Sequence, residues 1–146
     1  MLVRIARHTD RVLVSEMMHS LWPDCPLEEA GELFDRTLGS SAEEIMVSEE
    51  ETLIGFAMLS IRHEYVEGAI SSPVGYLEGI YVRKEQRRKG VAAGLVTEAL
   101  SWCSEKGCSQ LGSDVEIGNQ SSLHFHKEIG FRETNRIVTF MKNISE

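Results

Sequence analysis

The segment with the clearest chemical content is Arg87-Arg88-Lys89-Gly90-Val91-Ala92. It follows an apolar stretch that ends Ile80-Tyr81-Val82 and opens a run of helical periodicity. The first turn of a helix has backbone N–H groups without intrahelical acceptors, and the helix dipole adds partial positive charge there. Gly90 and Ala92 lack bulk, so a diphosphate can approach the main chain closely, and Arg87, Arg88 and Lys89 place cationic side chains beside it. Two other phosphate-binding patterns, G-x-x-x-x-G-K-[ST] and G-x-G-x-x-G after a strand, do not occur. R-x-x-G-x-A alone describes a basic turn before a core helix equally well. Its place directly after a strand favours the phosphate reading.

Nucleophilic and metal chemistry find less support. The cysteines are Cys25, Cys103 and Cys108, an odd count without a C-x-x-C, so neither a disulfide framework nor a zinc site is expected, and no resident metal. Cys103 falls on the apolar row of a predicted helix and reads as core. No Ser or Cys is patterned with a His as an activated nucleophile. The formal net charge of −8 disfavours nucleic acid, whose binders carry a basic face. It suits a cationic small molecule, although solubility alone explains an acidic balance. Met1-Leu2-Val3-Arg4-Ile5 lacks the order of a secretory leader, and no apolar run approaches about 18 residues. A soluble, cytoplasmic chain without a membrane partner is expected.

These side chains need elements to hold them. A length of 146 residues suits one domain, 1–146, and 42% apolar with 26% charged residues is the balance of a folded chain with a core. Leu2 to Ala6 reads as a strand. Thr9 or Asp10 caps a helix to about Leu21 with Val12, Met17 and Leu21 inward, and Trp22-Pro23 ends it. Pro26 starts a second helix, with Leu27, Ala30, Leu33, Phe34 and Leu38 at helical spacing. Strands are expected over Ile45 to Ser48, Thr52 to Arg62 and Val74 to Val82, with His63 to Pro73 a loop and Lys84 to Lys89 a basic loop. Gly90 to about Lys106 is a helix with Val91, Leu95, Ala99 and Cys103 in one row and Ala92, Val96 and Leu100 in the next; Gly107 caps it. Ser109 to Asp114 is a strand, Asn119 to Glu128 a helix ended by Gly130, and Asn135 to Lys142 a final strand. The order β-α-α-β-β-β-α-β-α-β describes an α+β domain, an α/β sandwich whose antiparallel meander leads into a βαβ unit.

The R-x-x-G-x-A turn after such a strand, in this order of elements, resembles the GNAT superfamily of N-acetyltransferases. The resemblance implies a mixed central sheet flanked by helices and acetyl-CoA as co-substrate. It also implies that Ile80, Tyr81 and Val82 meet the pantetheine arm and acetyl carbonyl, and that Arg88, Lys89, Gly90, Val91, Ala92 and Ala93 hold the pyrophosphate. Asn119, Phe125-His126 and Gly130-Phe131 resemble the family's last characteristic region. There the resemblance makes Asn119 a cofactor contact and puts His126 where the family often has a Tyr that protonates the leaving thiolate. A His is chemically competent for that step.

A narrower resemblance spans nearly the whole chain. Leu21-Trp22-Pro23, Ser60-Ile61-Arg62-His63-Glu64-Tyr65-Val66-Glu67-Gly68, Ser71-Ser72-Pro73-Val74, Leu77-Glu78-Gly79-Ile80 and Ser113-Asp114 are similar to the aminoglycoside 6'-N-acetyltransferases. This implies a polycationic aminoglycoside substrate contacted by Trp22, Tyr65, Glu78 and Asp114, and antibiotic resistance as the outcome. It also implies a homodimer whose contact involves the C-terminal strand. Such a substrate needs carboxylates and flat faces, which these residues supply. Glu78 in an apolar strand must find a partner. It is the candidate base for direct attack of the amine, and His126 the candidate acid. Several group members carry an acid within E-T-E after the G-F pair; this chain has Glu133-Thr134-Asn135, which keeps an acceptor and loses a charge. Other readings are acetylation of a polyamine or of a protein amine, and a non-catalytic acyl-CoA-binding module.

Overall fold

The computed structural model describes residues 1–145. The chain forms two compact units, one over Met1–Asp114 and a second beginning at Val115. The first holds a five-stranded sheet in the order β1-β2-β3-β4-β5. The strands are β1 (Leu2–Ile5), β2 (Glu43–Glu49), β3 (Leu53–Arg62), β4 (Val74–Val82) and β5 (Leu111–Gly112). The first four are antiparallel neighbours, and β5 runs parallel to β4. The parallel pair is joined by α3 (Val91–Glu105), giving the expected βαβ unit; α1 (Arg11–Leu21) and α2 (Leu27–Leu38) lie between β1 and β2 in the chain.

Helices cover both faces of the sheet. On one face Val14, Met17 and Met18 of α1 and Ala30 and Phe34 of α2 pack with Ile45, Val47, Phe56 and Met58. On the other, α3 lies so close that a Cβ at Gly75 would meet Cys103 and one at Gly55 would meet Val91 and Leu95. This two-sided cover explains why β3 is a nearly continuous apolar run rather than an alternating one, with Leu53 to Leu59 all buried. Each fully buried Phe or Leu here contributes about 1.5–3 kcal/mol.

The row Val91, Leu95, Ala99 and Cys103 is buried as its spacing predicts, while Leu100 in the next row stays exposed. Val12 is also exposed, against expectation. A turn of 3-10 helix over His8–Asp10 precedes α1, so α1 begins at Arg11, and its buried stripe runs through Val14, Ser15, Met17 and Met18. Asp10 makes no side-chain cap to α1. Its carboxylate accepts from Arg4 at 2.8 and 3.0 Å and from the Arg7 main chain at 2.7 Å. Arg4 also donates to Glu49 at 3.2 Å, which ties β1, the turn and β2 together.

In the second unit α4 (Gln120–Glu128) is capped by Asn119, whose side-chain oxygen accepts from Ser122 N at 3.1 Å. It closes at Gly130, φ +100°, with Phe131 N donating to His126 O at 2.9 Å. The strand expected over Asn135 to Lys142 does not form: residues 131–143 carry no helix or strand. A β-forming sequence becomes a strand only when another edge receives its N–H and C=O groups in a ladder, and among the described residues no strand pairing includes this segment. The strand expected over Ser109 to Asp114 shortens to Leu111–Gly112, because β5 meets β4 only at Gly75 and Tyr76. Among the described residues no helix is long and apolar enough to cross a membrane.

Candidate active site

The middle of β4 departs from regular pairing on both edges. On the β3 side Met58 pairs with Gly79 and Leu59 with Leu77, so Glu78 is an extra residue, a bulge. A bulge bends a strand and re-aims the extra side chain. On the β5 side pairing ends at Tyr76↔Gly112, and among the described residues 78–82 pair along the β3 edge alone. Ile80, Tyr81 and Val82 therefore keep one sheet edge on which an extended ligand can find main-chain partners.

Glu78 finds the partner its surroundings demand. Arg62 Nη2 lies 2.5 Å from one carboxylate oxygen and 2.9 Å from the other, and Ser60 Oγ donates at 3.1 Å. Ser60 and Arg62 stand two apart on β3 and so share a face. The Arg62 guanidinium also lies over the Tyr76 ring, 3.5 Å from its centroid. The Tyr76 hydroxyl donates a short hydrogen bond to Asp114 just beyond β5. Burial, reinforced by that bond, pushes the Tyr76 phenol well above its ordinary range, so it stays a neutral donor. Glu78 and Asp114, singled out separately in the sequence, thus belong to one network through Arg62 and Tyr76. Arg62, Ser60 and Tyr76 were not singled out. The available signal was the need of a strand carboxylate for a cation, with Arg62 the charged residue that ends the neighbouring strand.

Trp22 joins the same strand. A Cβ at Gly79 would stand 2.4 Å from Cζ2 of the Trp22 ring, so the indole lies directly on the β4 main chain beside Glu78. It also packs against the core, meeting Phe56 edge-on with centroids 6.2 Å apart. Tyr65 is 81% exposed on the 63–73 loop, its hydroxyl donating to Glu67 at 2.8 Å. It is not a packing residue; Val66 next to it packs with Val74 and Tyr76 and anchors the loop.

The turn after β4 has the geometry its sequence suggests. Arg88 is a non-glycine residue in the left-handed region, φ +62°, and Gly90 follows at φ +83°. Gly90 is the N-cap of α3 and offers no side chain, so the first-turn amides at Val91, Ala92 and Ala93 are left to an external acceptor. Arg88, Lys89 and Gly90 are exposed around them. Arg87, also exposed, reaches back to the strand: its Nε donates to Val82 O at 2.8 Å and its guanidinium faces Tyr81, fixing strand against turn. Such a turn fits a diphosphate.

In the second unit His126 Nδ1 lies 2.8 Å from Ser122 O. A carbonyl only accepts, so Nδ1 carries a proton. The ring sits between Phe125 and Phe131, at centroid distances of 5.6 and 5.2 Å. The Asn119 oxygen serves as the α4 cap, which leaves its amide NH2 as the group suited to a ligand. Among the described residues no cluster of His, Cys, Asp and Glu is arranged to hold a metal ion.

The chain is similar to known proteins in sequence and in fold. The Acetyltransferase (GNAT) family model matches residues 11–131. The aminoglycoside N(6')-acetyltransferase type 1 of Acinetobacter baumannii is 39% identical over 127 residues, 85% of this chain and 86% of that protein. The solved aminoglycoside antibiotic 6'-N-acetyltransferase AAC(6')-IG from Acinetobacter haemolyticus superposes with a TM-score of 0.94 at 32% identity over 99% of each chain. AAC(6')-Iy, solved in complex with the bisubstrate analog CoA-S-monomethyl-acetylneamine, gives 0.92 at 33% identity over 97% of each. With its βαβ core, its bulged β4 and its uncapped helix start, the chain belongs to the acetyltransferase (GNAT) family, in the group of the aminoglycoside N(6')-acetyltransferases.

Proposed function

We propose that the protein transfers the acetyl group of acetyl-CoA to the 6'-amine of an aminoglycoside by direct attack, and that it confers resistance to such antibiotics. The observation that carries this reading is the bulge that turns the Glu78 carboxylate out of β4 at the point where that strand stops pairing with β5. The turn amides from Arg88 to Ala93 hold the pyrophosphate, and Asn119 adds a contact from its amide. The main chain of Ile80, Tyr81 and Val82 engages the pantetheine arm and meets the negative charge developing on the acetyl oxygen. Glu78 and Asp114 seat the ammonium groups of the substrate, and Trp22 and Tyr65 offer flat faces to its rings. An ammonium has no lone pair, so Glu78 takes its proton, directly or through water. The same carboxylates favour the charged amine, so the proton needs an onward path to solvent. Proximity supplies much of the rate. His126 is the proposed acid for the departing thiolate; with Nδ1–H held by Ser122 O, only a proton on Nε2 can serve.

The test follows thiol release from acetyl-CoA with kanamycin, a 6'-hydroxyl analogue, spermidine and a lysine peptide. Turnover with kanamycin and none with the 6'-hydroxyl analogue is expected. Turnover with the polyamine or the peptide alone reassigns the acceptor, and cofactor binding without release for any amine makes the chain a non-catalytic binding module.

The proposed setting is the cytoplasm, where acetyl-CoA is available, and the proposed assembly is a homodimer. The run Ile137, Val138, Phe140 and Met141 supports the latter, being apolar, β-forming and exposed in the single chain.

A further inference from the structure

We infer that the Arg62 guanidinium occupies the seat of a substrate ammonium group and must leave when substrate binds, so that Arg62 sets acceptor affinity by competing for Glu78. The inference rests on the reading of Glu78 as a substrate carboxylate. Both Glu78 oxygens are engaged by one Arg62 nitrogen, at 2.5 and 2.9 Å. An ammonium brought to those oxygens meets a like charge at contact distance. The two cations repel each other and compete for the same oxygens.

The geometry lets Arg62 go. It is the last residue of β3, ahead of the 63–73 loop, and its side chain is 42% exposed. Glu78 is 25% exposed and keeps the Ser60 hydroxyl at 3.1 Å, so it is neither stranded nor unheld when the guanidinium moves into water. What the departure uncovers is a cation site: two carboxylate oxygens beside the face of Tyr76, which Arg62 covers at 3.5 Å. Tyr76 is held in place by Asp114. With Arg62 in place the three charged groups Glu78, Asp114 and Arg62 leave a single net negative charge. With it displaced, both carboxylates face the incoming polycation. The chemical class admitted is a cationic amine, and a neutral or anionic acceptor gains nothing from the exchange.

The test is calorimetry of kanamycin binding to the CoA-loaded protein for the parent, Arg62→Gln, Arg62→Lys, Glu78→Gln and the Glu78→Gln/Arg62→Gln double variant. Loss of a partly exposed ion pair predicts about two- to fivefold tighter binding for Arg62→Gln. Arg62→Lys keeps the competing charge and stays near the parent. On the Glu78→Gln background the Arg62→Gln gain vanishes. Weaker or unchanged binding by Arg62→Gln, with Glu78→Gln binding weakly, overturns the inference and leaves the substrate site standing. Parent-like binding by Glu78→Gln overturns both. A readout free of substitution is the Arg62 guanidinium nitrogen resonance. It should shift toward that of a solvated arginine on adding kanamycin and not on adding CoA alone; an unmoved resonance under saturating kanamycin overturns the inference.

Discussion

An alanine methyl at position 79 has nowhere to go. It would stand 2.4 and 2.7 Å from two ring carbons of Trp22, and the strand beneath is fixed by the pairing of Gly79 with Met58. The indole must move off β4, and overpacking of this kind costs about 1–3 kcal/mol. Gly79→Ala is therefore expected to lower the denaturation midpoint and to weaken acceptor binding while CoA heats stay near those of the parent. An unchanged midpoint would mean that Trp22 is not seated on the strand. Tyr76 gives a second residue-level expectation. Burial, then the bond to Asp114, raises its phenol above the unfolded value of about 10. The folded state thus holds the proton more tightly than the unfolded one. Its stabilising contribution is complete below pH about 10 and is lost as pH rises toward the folded value. Burial likewise pushes the Cys103 thiol up to about 11, which weakens the fold above pH about 9 in the same sense. Denaturation midpoints across the alkaline range should fall for the parent and for Tyr76→Phe alike through the Cys103 contribution. Only the parent should show the added decline above pH about 10.

At the scale of elements the start of α3 carries the clearest prediction. A Cβ at Gly90 would meet nothing within 4 Å, so the whole cost of a side chain there lies in the backbone, held at φ +83°. Gly90→Ala should lose about 1 kcal/mol of stability from that conformation. Calorimetry should also show CoA bound about tenfold more weakly or worse, because relieving φ swings the amides away from one another. Full CoA affinity in a folded Gly90→Ala would remove the turn from the cofactor site. This turn was legible in the sequence because its chemistry is local: a glycine, a cationic run and a helix start lie within six residues. The rows of α3 were legible for the same reason. Val12 was misread because the turn at His8–Asp10 sets where α1 begins, and that turn is held by Arg4 and Asp10 rather than by an apolar period. Arg62 escaped notice because its pairing with Glu78 depends on the register of β3 against β4 and on the bulge, neither of which a single strand announces.

At the scale of the whole molecule the sequence overreached most at the C-terminal segment, and the reason is physical. The Asn135 to Lys142 segment has β-forming composition, yet a strand is a property of two chains or two segments, and among the described residues this segment joins no strand pairing. What it leaves instead is exposed apolar surface, with Phe140 89% and Met141 94% accessible. Water contact on such a run is unfavourable, and a second copy of the chain carries the same run, so an isologous contact between two copies satisfies both. Sedimentation should accordingly report a dimer for the parent at micromolar concentration. Val138→Glu combined with Phe140→Glu places charges on the run without touching Glu78, Arg62 or the α3 turn, and should yield a monomer. If the dimer serves only to bury this segment, that monomer still binds CoA with the affinity of the parent. A parent that sediments as a monomer, or a doubly charged variant that remains a dimer, would detach the C-terminal segment from assembly.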